Sequence, residues 1–159
     1  MPKPDGLIRK AQVKDVEAIF RLLSEPAERG EILPRSRLDL YGYLRDFFVW
    51  AGPQGEIVGA AALHICWEDL AEVRSLVVAP DWRGKGLGRR LVEACLDDAV
   101  MLGLSQIFVL TYKPDFFKRL GFVEVEKSSL PHKVWADCVH CVKFPQCDET
   151  AMVLSLAEK

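Results

Sequence analysis

Apolar residues recur along this chain in two rhythms, and each change of rhythm marks an element. Residues 7–10 read as a short strand. Val16, Ile19, Phe20 and Leu23 then fall at helical spacing, which predicts a helix over residues 15–23 with one face inward. Residues 24–33 contain Pro26 and Gly30 and are expected to form a loop. Ser36 can cap a second helix, with Asp39 as the capping-box acid and Leu40, Leu44 and Phe47 following at helical spacing.

Strands come next. Residues 48–51 and 57–67 flank the tight turn Gly52-Pro53-Gln54-Gly55, and residues 71–78 follow the acidic turn Glu68-Asp69. This pattern predicts an antiparallel meander. A helix over residues 86–102 would turn Leu87, Leu91, Ala94, Cys95, Leu96 and Ala99 toward the sheet. Residues 107–111 are mostly β-branched or aromatic and predict a buried strand. A short helix over 115–120 is closed by Gly121, and strands over 122–126 and 152–156 finish the chain. The order is that of an α/β (α+β) layer fold with a mixed sheet flanked by helices.

The segment Arg83-Gly84-Lys85-Gly86-Leu87-Gly88 joins the third meander strand to the long helix. Its glycines allow a tight turn in which several N–H groups point the same way. The unpaired first-turn N–H groups of the helix and the positive end of its dipole add to them. Such a nest suits a phosphate or pyrophosphate and needs no particular side chain. No Gly-Lys-Ser/Thr follows, so this is not a Walker loop. Arg89 stands where a dinucleotide fingerprint needs its third glycine. A glycine-rich connector without a ligand is the plainer alternative.

Composition narrows the class. At 159 residues, half of them hydrophobic, the chain is expected to be a single domain over 1–159 with a real core. A net charge of −2 gives no basic footprint for nucleic acid. The longest nearly uncharged apolar run, residues 57–67, is too short to span a bilayer, and Met-Pro-Lys-Pro-Asp-Gly lacks the apolar centre of a signal peptide. Five cysteines are an odd count, which favours reduced thiols and a cytoplasmic setting. A homodimer is compatible with all of this.

Arg83-x-x-Gly86-x-Gly88 also matches Arg/Gln-x-x-Gly-x-Gly/Ala, the acetyl-CoA signature of the GNAT acetyltransferases. With the element order and Leu120-Gly121-Phe122, the chain resembles that superfamily over nearly its whole length. Several short blocks are similar to the acetyltransferase domain of bacterial N-acetylglutamate synthase. They are Leu33-Pro34-Arg35-Ser36, Ala60-Ala61-Ala62-Leu63, Ala71-Glu72, residues 104–111 and Ser129-Leu130-Pro131. The likeness is to short, stand-alone synthases without the amino-acid-kinase-like domain that binds arginine. It implies an acetyl-CoA-dependent N-acetyltransferase acting on the α-amine of glutamate, in arginine biosynthesis. The alternatives are glutamine or another small amine as acceptor, or a non-catalytic module that senses acetyl-CoA.

The resemblance assigns roles. The pantetheine arm would pair with the backbone of Leu76, Val77 and Val78, and the coenzyme phosphates would lie on Arg83, Gly84, Lys85, Gly86, Leu87, Gly88 and Arg89. Glu72 becomes the general base, acting through water with its pKa raised by shielding. Its plainer role is a surface pair with Arg74. Phe117 occupies the position where many GNAT enzymes carry a tyrosine as general acid, which leaves it to pack on the coenzyme; Tyr112 is the substitute acid. For a dicarboxylic acceptor the cationic candidates are Arg35, Arg74 and Lys133, with His64 on a strand position where some synthases carry a lysine. Cys138, Cys141 and Cys147 could hold a structural zinc, but with only three cysteines in the segment a thiol-lined loop is the expectation.

Overall fold

The computed structural model describes residues 6–130 and 149–156. Seven strands form one sheet in the order β1-β2-β3-β4-β5-β7-β6. They are β1 Leu7–Lys10, β2 Phe47–Ala51, β3 Ile57–Trp67, β4 Leu70–Val78, β5 Gln106–Thr111, β6 Val123–Val125 and β7 Thr150–Ser155. The helices are α1 Val16–Glu28, α2 Arg37–Gly42, α3 Leu87–Leu102 and α4 Pro114–Lys118. Contacts divide the chain into two units, Met1–Leu63 with Val73–Asp98, and His64–Glu72 with Ala99–Lys159.

In the first unit, β1, β2 and β3 form antiparallel pairs. Val16, Ile19 and Leu23 of α1 and Leu40 of α2 pack with Phe47, Val49, Ala60, Ala62 and Val77 of the sheet, all nearly inaccessible to water. The capping box of α2 forms as the sequence predicts, with Asp39 N–H donating to Ser36 Oγ at 3.0 Å and Ser36 N–H to Asp39 Oδ2 at 3.1 Å. Leu87, Leu91, Cys95 and Ala99 make a buried seam along α3, joined by Val92. Gly59 lets this helix approach, because a Cβ there would meet Leu91 Cδ1 at 3.0 Å.

In the second unit, β5 runs parallel to the start of β4, Leu70 to Glu72, and antiparallel to β7 along its whole length. Leu70, Phe108, Leu130 and Ala151 form its core. Phe117 is 3% exposed and meets Phe122 edge-on at 5.3 Å.

Two expectations need correction. Residues 24–28 are helix, not loop: α1 continues through Pro26. A proline forfeits one N–H and strains the turn before it. Here the proline is buried in the last turn, and Ser24 Oγ donates back to Phe20 O at 2.7 Å, a bond that bends a helix open. Gly30, at φ 75°, is what stops the helix, with Glu31 N–H donating to Pro26 O at 2.9 Å. The second helix, conversely, ends at Gly42; a single 3-10 turn, Leu44–Asp46, leads into β2, so Phe47 is a strand residue.

The pattern of hydrophobic positions also conceals a buried ion pair. Asp15 is 3% exposed, and Arg9 grips it through two hydrogen bonds of 2.7 and 3.1 Å. Gln12 N–H adds a third at 2.7 Å. Burial pushes the Asp15 carboxyl up, but Arg9 and the Gln12 amide together outweigh it and hold the group below its ordinary value. A lowered folded-state pKa gives stability that is complete above the ordinary value of 3.8 and is lost as pH falls through the folded one. We expect Asp15→Ala to cost about 3 kcal/mol near neutrality, because Arg9 is left uncompensated. Urea midpoints of wild type and variant should converge as the solution is made acid; a constant gap down to the acid transition would contradict this.

Candidate functional site

The end of β4 and the segment after it are held almost entirely by main-chain constraints. Within β4, Ser75 adopts φ 58°, a left-handed value that a non-glycine residue in a strand takes only at a break in the pleat. After Val78, Ala79 N–H donates to Val58 O at 2.8 Å and ties the chain to β3. Pro80–Trp82 make one 3-10 turn. Arg83 Nε then reaches back to Val78 O at 3.0 Å, clamping the two ends of the turn.

Gly84 and Gly86 have φ values of 77° and 85°, and a Cβ on either would meet no protein atom within 4 Å. The glycines are therefore favoured by backbone conformation, not by crowding from the protein itself. Arg90 N–H donates to Gly86 O at 3.2 Å, so Gly86 supplies the first acceptor of α3. The first-turn amides beyond it face outward with the positive end of a 16-residue helix. Left-handed steps ahead of a helix start have the backbone conformation that an anion nest needs.

A groove of about 280 Å³ adjoins this segment, lined by Arg21, Glu25 and Pro26 of α1 and by Val78, Pro80 and Arg83. Ala18, Arg21 and Leu22 of its helical wall lie in the helix predicted over residues 15–23, whereas Glu25 and Pro26 lie in the stretch expected to be loop.

The other candidate residues divide between the units. Arg35 is half-buried immediately before the α2 cap, and Arg74 is half-buried on β4 with its guanidinium 5.3 Å from the Tyr43 ring. Both belong to the first unit, with the glycine segment and Leu76, Val77 and Val78. His64, Glu72, Tyr112 and Phe117 belong to the second. Glu72 is half-buried opposite Phe108 on the last rung of the parallel ladder. Tyr112 is 37% exposed just past β5, whereas Phe117 lies in the core among aromatic rings. Lys133, Cys138, Cys141 and Cys147 fall outside the described residues. Among the described residues no cluster could hold a metal, and no helix is long and apolar enough to cross a membrane. Burial pushes the Cys95 thiol up to about 12, which disqualifies it as a nucleophile.

A family model, the acetyltransferase (GNAT) family, matches residues 16–122, and that span includes the nest and the strand before it. The chain belongs to the GNAT family. As a GNAT protein it is an acetyltransferase by sequence and by fold. It is 42% identical to an uncharacterised N-acetyltransferase of Chlorobaculum tepidum, over 98% of this chain and 100% of that one. It is 38% identical to an amino-acid acetyltransferase of Mycobacterium tuberculosis, over 81% of this chain and 75% of that protein. Its fold is similar to N-acetylglutamate synthase of Neisseria gonorrhoeae, solved with coenzyme A and N-acetyl-glutamate, at a TM-score of 0.85 and 25% identity. That match takes in 99% of this GNAT chain but 36% of the synthase.

Native-state alkylation checks the thiol assignment. Cys66, half-buried on β3, should be modified by iodoacetamide in the folded protein, while Cys95 should react only after unfolding. Equal labelling of the two in the native state would contradict the buried seam.

Proposed function

We propose that this GNAT enzyme moves the acetyl group of acetyl-CoA to the α-amine of L-glutamate, releasing N-acetylglutamate and coenzyme A. The observation that carries the coenzyme half is the left-handed pair Gly84 and Gly86 at the start of α3. Main-chain N–H groups there would take the pyrophosphate, and Arg83, Lys85 and Arg89 add positive charge around it. The backbone of Leu76, Val77 and Val78 would carry the pantetheine arm. The acceptor half rests on the amino-acid acetyltransferase relative, on the likeness to the synthase and on Arg35 beside α2. The reading assigns the chain to arginine biosynthesis in the cytoplasm.

The chemistry needs a neutral amine beside the thioester carbonyl. Glu72 takes a proton from the glutamate ammonium through water. The freed nitrogen attacks the carbonyl carbon, and a β4 main-chain N–H donates to the oxygen as charge gathers there. The C–S bond then breaks and the electron pair leaves as the thiolate of coenzyme A. Phe117 has no proton to give, so Tyr112 or solvent protonates the sulfur. Arg35, with His64 and Lys133 as further candidates, balances the acceptor carboxylates.

Four outcomes test this reading. Gly86→Val forces a β-branched residue to a φ of 85°, at about 1–2 kcal/mol of backbone strain, and should lower coenzyme A affinity at least tenfold by calorimetry. In a thiol-release assay across the amino acids, glutamate should lead by about tenfold or more in kcat/KM. Glu72→Gln should cut kcat by about 10²–10⁴ and flatten the acidic limb of the profile. A lead by glutamine or by an amine without carboxylates would replace the acceptor. Arg35→Lys should raise the glutamate KM about tenfold, with the acetyl-CoA KM unchanged. Wild-type kinetics in that variant would remove Arg35 from the site.

A further inference from the structure

Tyr43 sits at a point where the backbone leaves it little freedom. It is the last-turn cap of α2, with its N–H donating to Asp39 O at 2.8 Å, and its own carbonyl accepts from Asp46 N–H at 2.9 Å. The helix therefore ends and the next 3-10 turn begins on this one residue. The residue is 39% exposed. The Arg74 guanidinium lies 5.3 Å from the centre of the Tyr43 ring.

A ring face attracts a guanidinium through its quadrupole and orients the planar fork, whose N–H groups lie in the plane of the cation. A carboxylate is recognised best by two parallel N–H bonds from such a fork. Among the described residues, Arg9, Arg29 and Arg37 of this unit hold the carboxylates of Asp15, Glu31 and Glu17 through two such bonds each, and Arg37 also lies 4.1 Å from the Phe20 ring. Arg37 is thus one arginine of this unit that sits on a ring while its fork holds a carboxylate. Arg74 differs in position: it is half-buried on β4, two residues beyond Glu72 and two before Leu76, along the strand assigned to the acetyl-bearing arm.

We propose that Tyr43 is a positioning residue that holds Arg74 to receive a carboxylate of the acceptor, and that this pair sets the preference for acidic amino acids. This rests on the reading that the acceptor is an amino acid. Tyr43 does not touch the reacting atoms; it acts through the orientation of Arg74. The ring is the operative part, and the phenol hydroxyl is dispensable.

The experiment is steady-state thiol release by the full chain with acetyl-CoA and glutamate, or whichever amino acid the wild type prefers. The variants are Tyr43→Leu, Tyr43→Phe, Tyr43→Trp, Arg74→Met and the pair Tyr43→Leu/Arg74→Met. Tyr43→Leu should raise the acceptor KM at least fivefold, with kcat and the acetyl-CoA KM within twofold of wild type. Phenylalanine and tryptophan should retain wild-type values, since both offer a ring face. Arg74→Met should raise the acceptor KM by more than Tyr43→Leu does, and adding Tyr43→Leu to it should change nothing further. Unchanged KM in Tyr43→Leu, equal loss in Tyr43→Phe, or a full additional loss in the double variant would overturn the pairing while leaving the enzyme an amino-acid acetyltransferase. Wild-type turnover confined to amines without a carboxylate, or no turnover, would overturn the functional reading and this proposal with it.

Discussion

Backbone amides can converge on one anion only if the chain stops being a strand and becomes a helix within a few residues, with left-handed steps between. Residues 79–87 meet that demand by a series of short ties. Ala79 is pinned to β3, Pro80 opens one 3-10 turn, Arg83 returns to the Val78 carbonyl, and two glycines then reverse the local hand. The rest of the first unit supports this arrangement. Helix α3 can bring its first turn to that place because Gly59 admits Leu91 and because the seam from Leu87 to Ala99 is dry. A nest made this way is set before any ligand arrives, which spares the ordering cost that a flexible loop would meet on binding.

Much of this was legible from the sequence because it is written in residues with few physical alternatives. Glycine at 84 and 86, proline at 80 and a buried period of four along α3 each point to one local conformation. β1 and β3 have the predicted bounds, and α2 has the predicted cap. The errors arose where a residue's local preference was overruled by packing. Pro26 disfavours helix, yet it is buried in the last turn of α1, where only one backbone bond is forfeited. Leu44 and Phe47 continue a helical period on paper, but Phe47 fits the core better as the first residue of β2.

The site divides along the same line. Its main-chain half was readable, since strand, glycines and helix are adjacent in sequence. Its side-chain candidates come from separate elements. Nothing in the pattern connects Tyr43 with Arg74 or gives Arg21 a groove to line. Asp15 reads as an ordinary first-turn acid until Arg9 is seen to grip it from β1. Such pairings depend on register and helix rotation, which periodicity alone does not supply.

In the proposed function the Arg83–Gly88 segment would meet the coenzyme with peptide N–H groups, and these do not titrate in ordinary solution. Those main-chain donors are therefore the same in weakly acid as in weakly alkaline medium. A response of this protein to acidity would then enter through its titrating side chains or the incoming amine, and not through the backbone of this loop. Over evolutionary time, too, the coenzyme end can stay fixed by a few glycines while the residues around α2 and β4 drift toward a different acceptor.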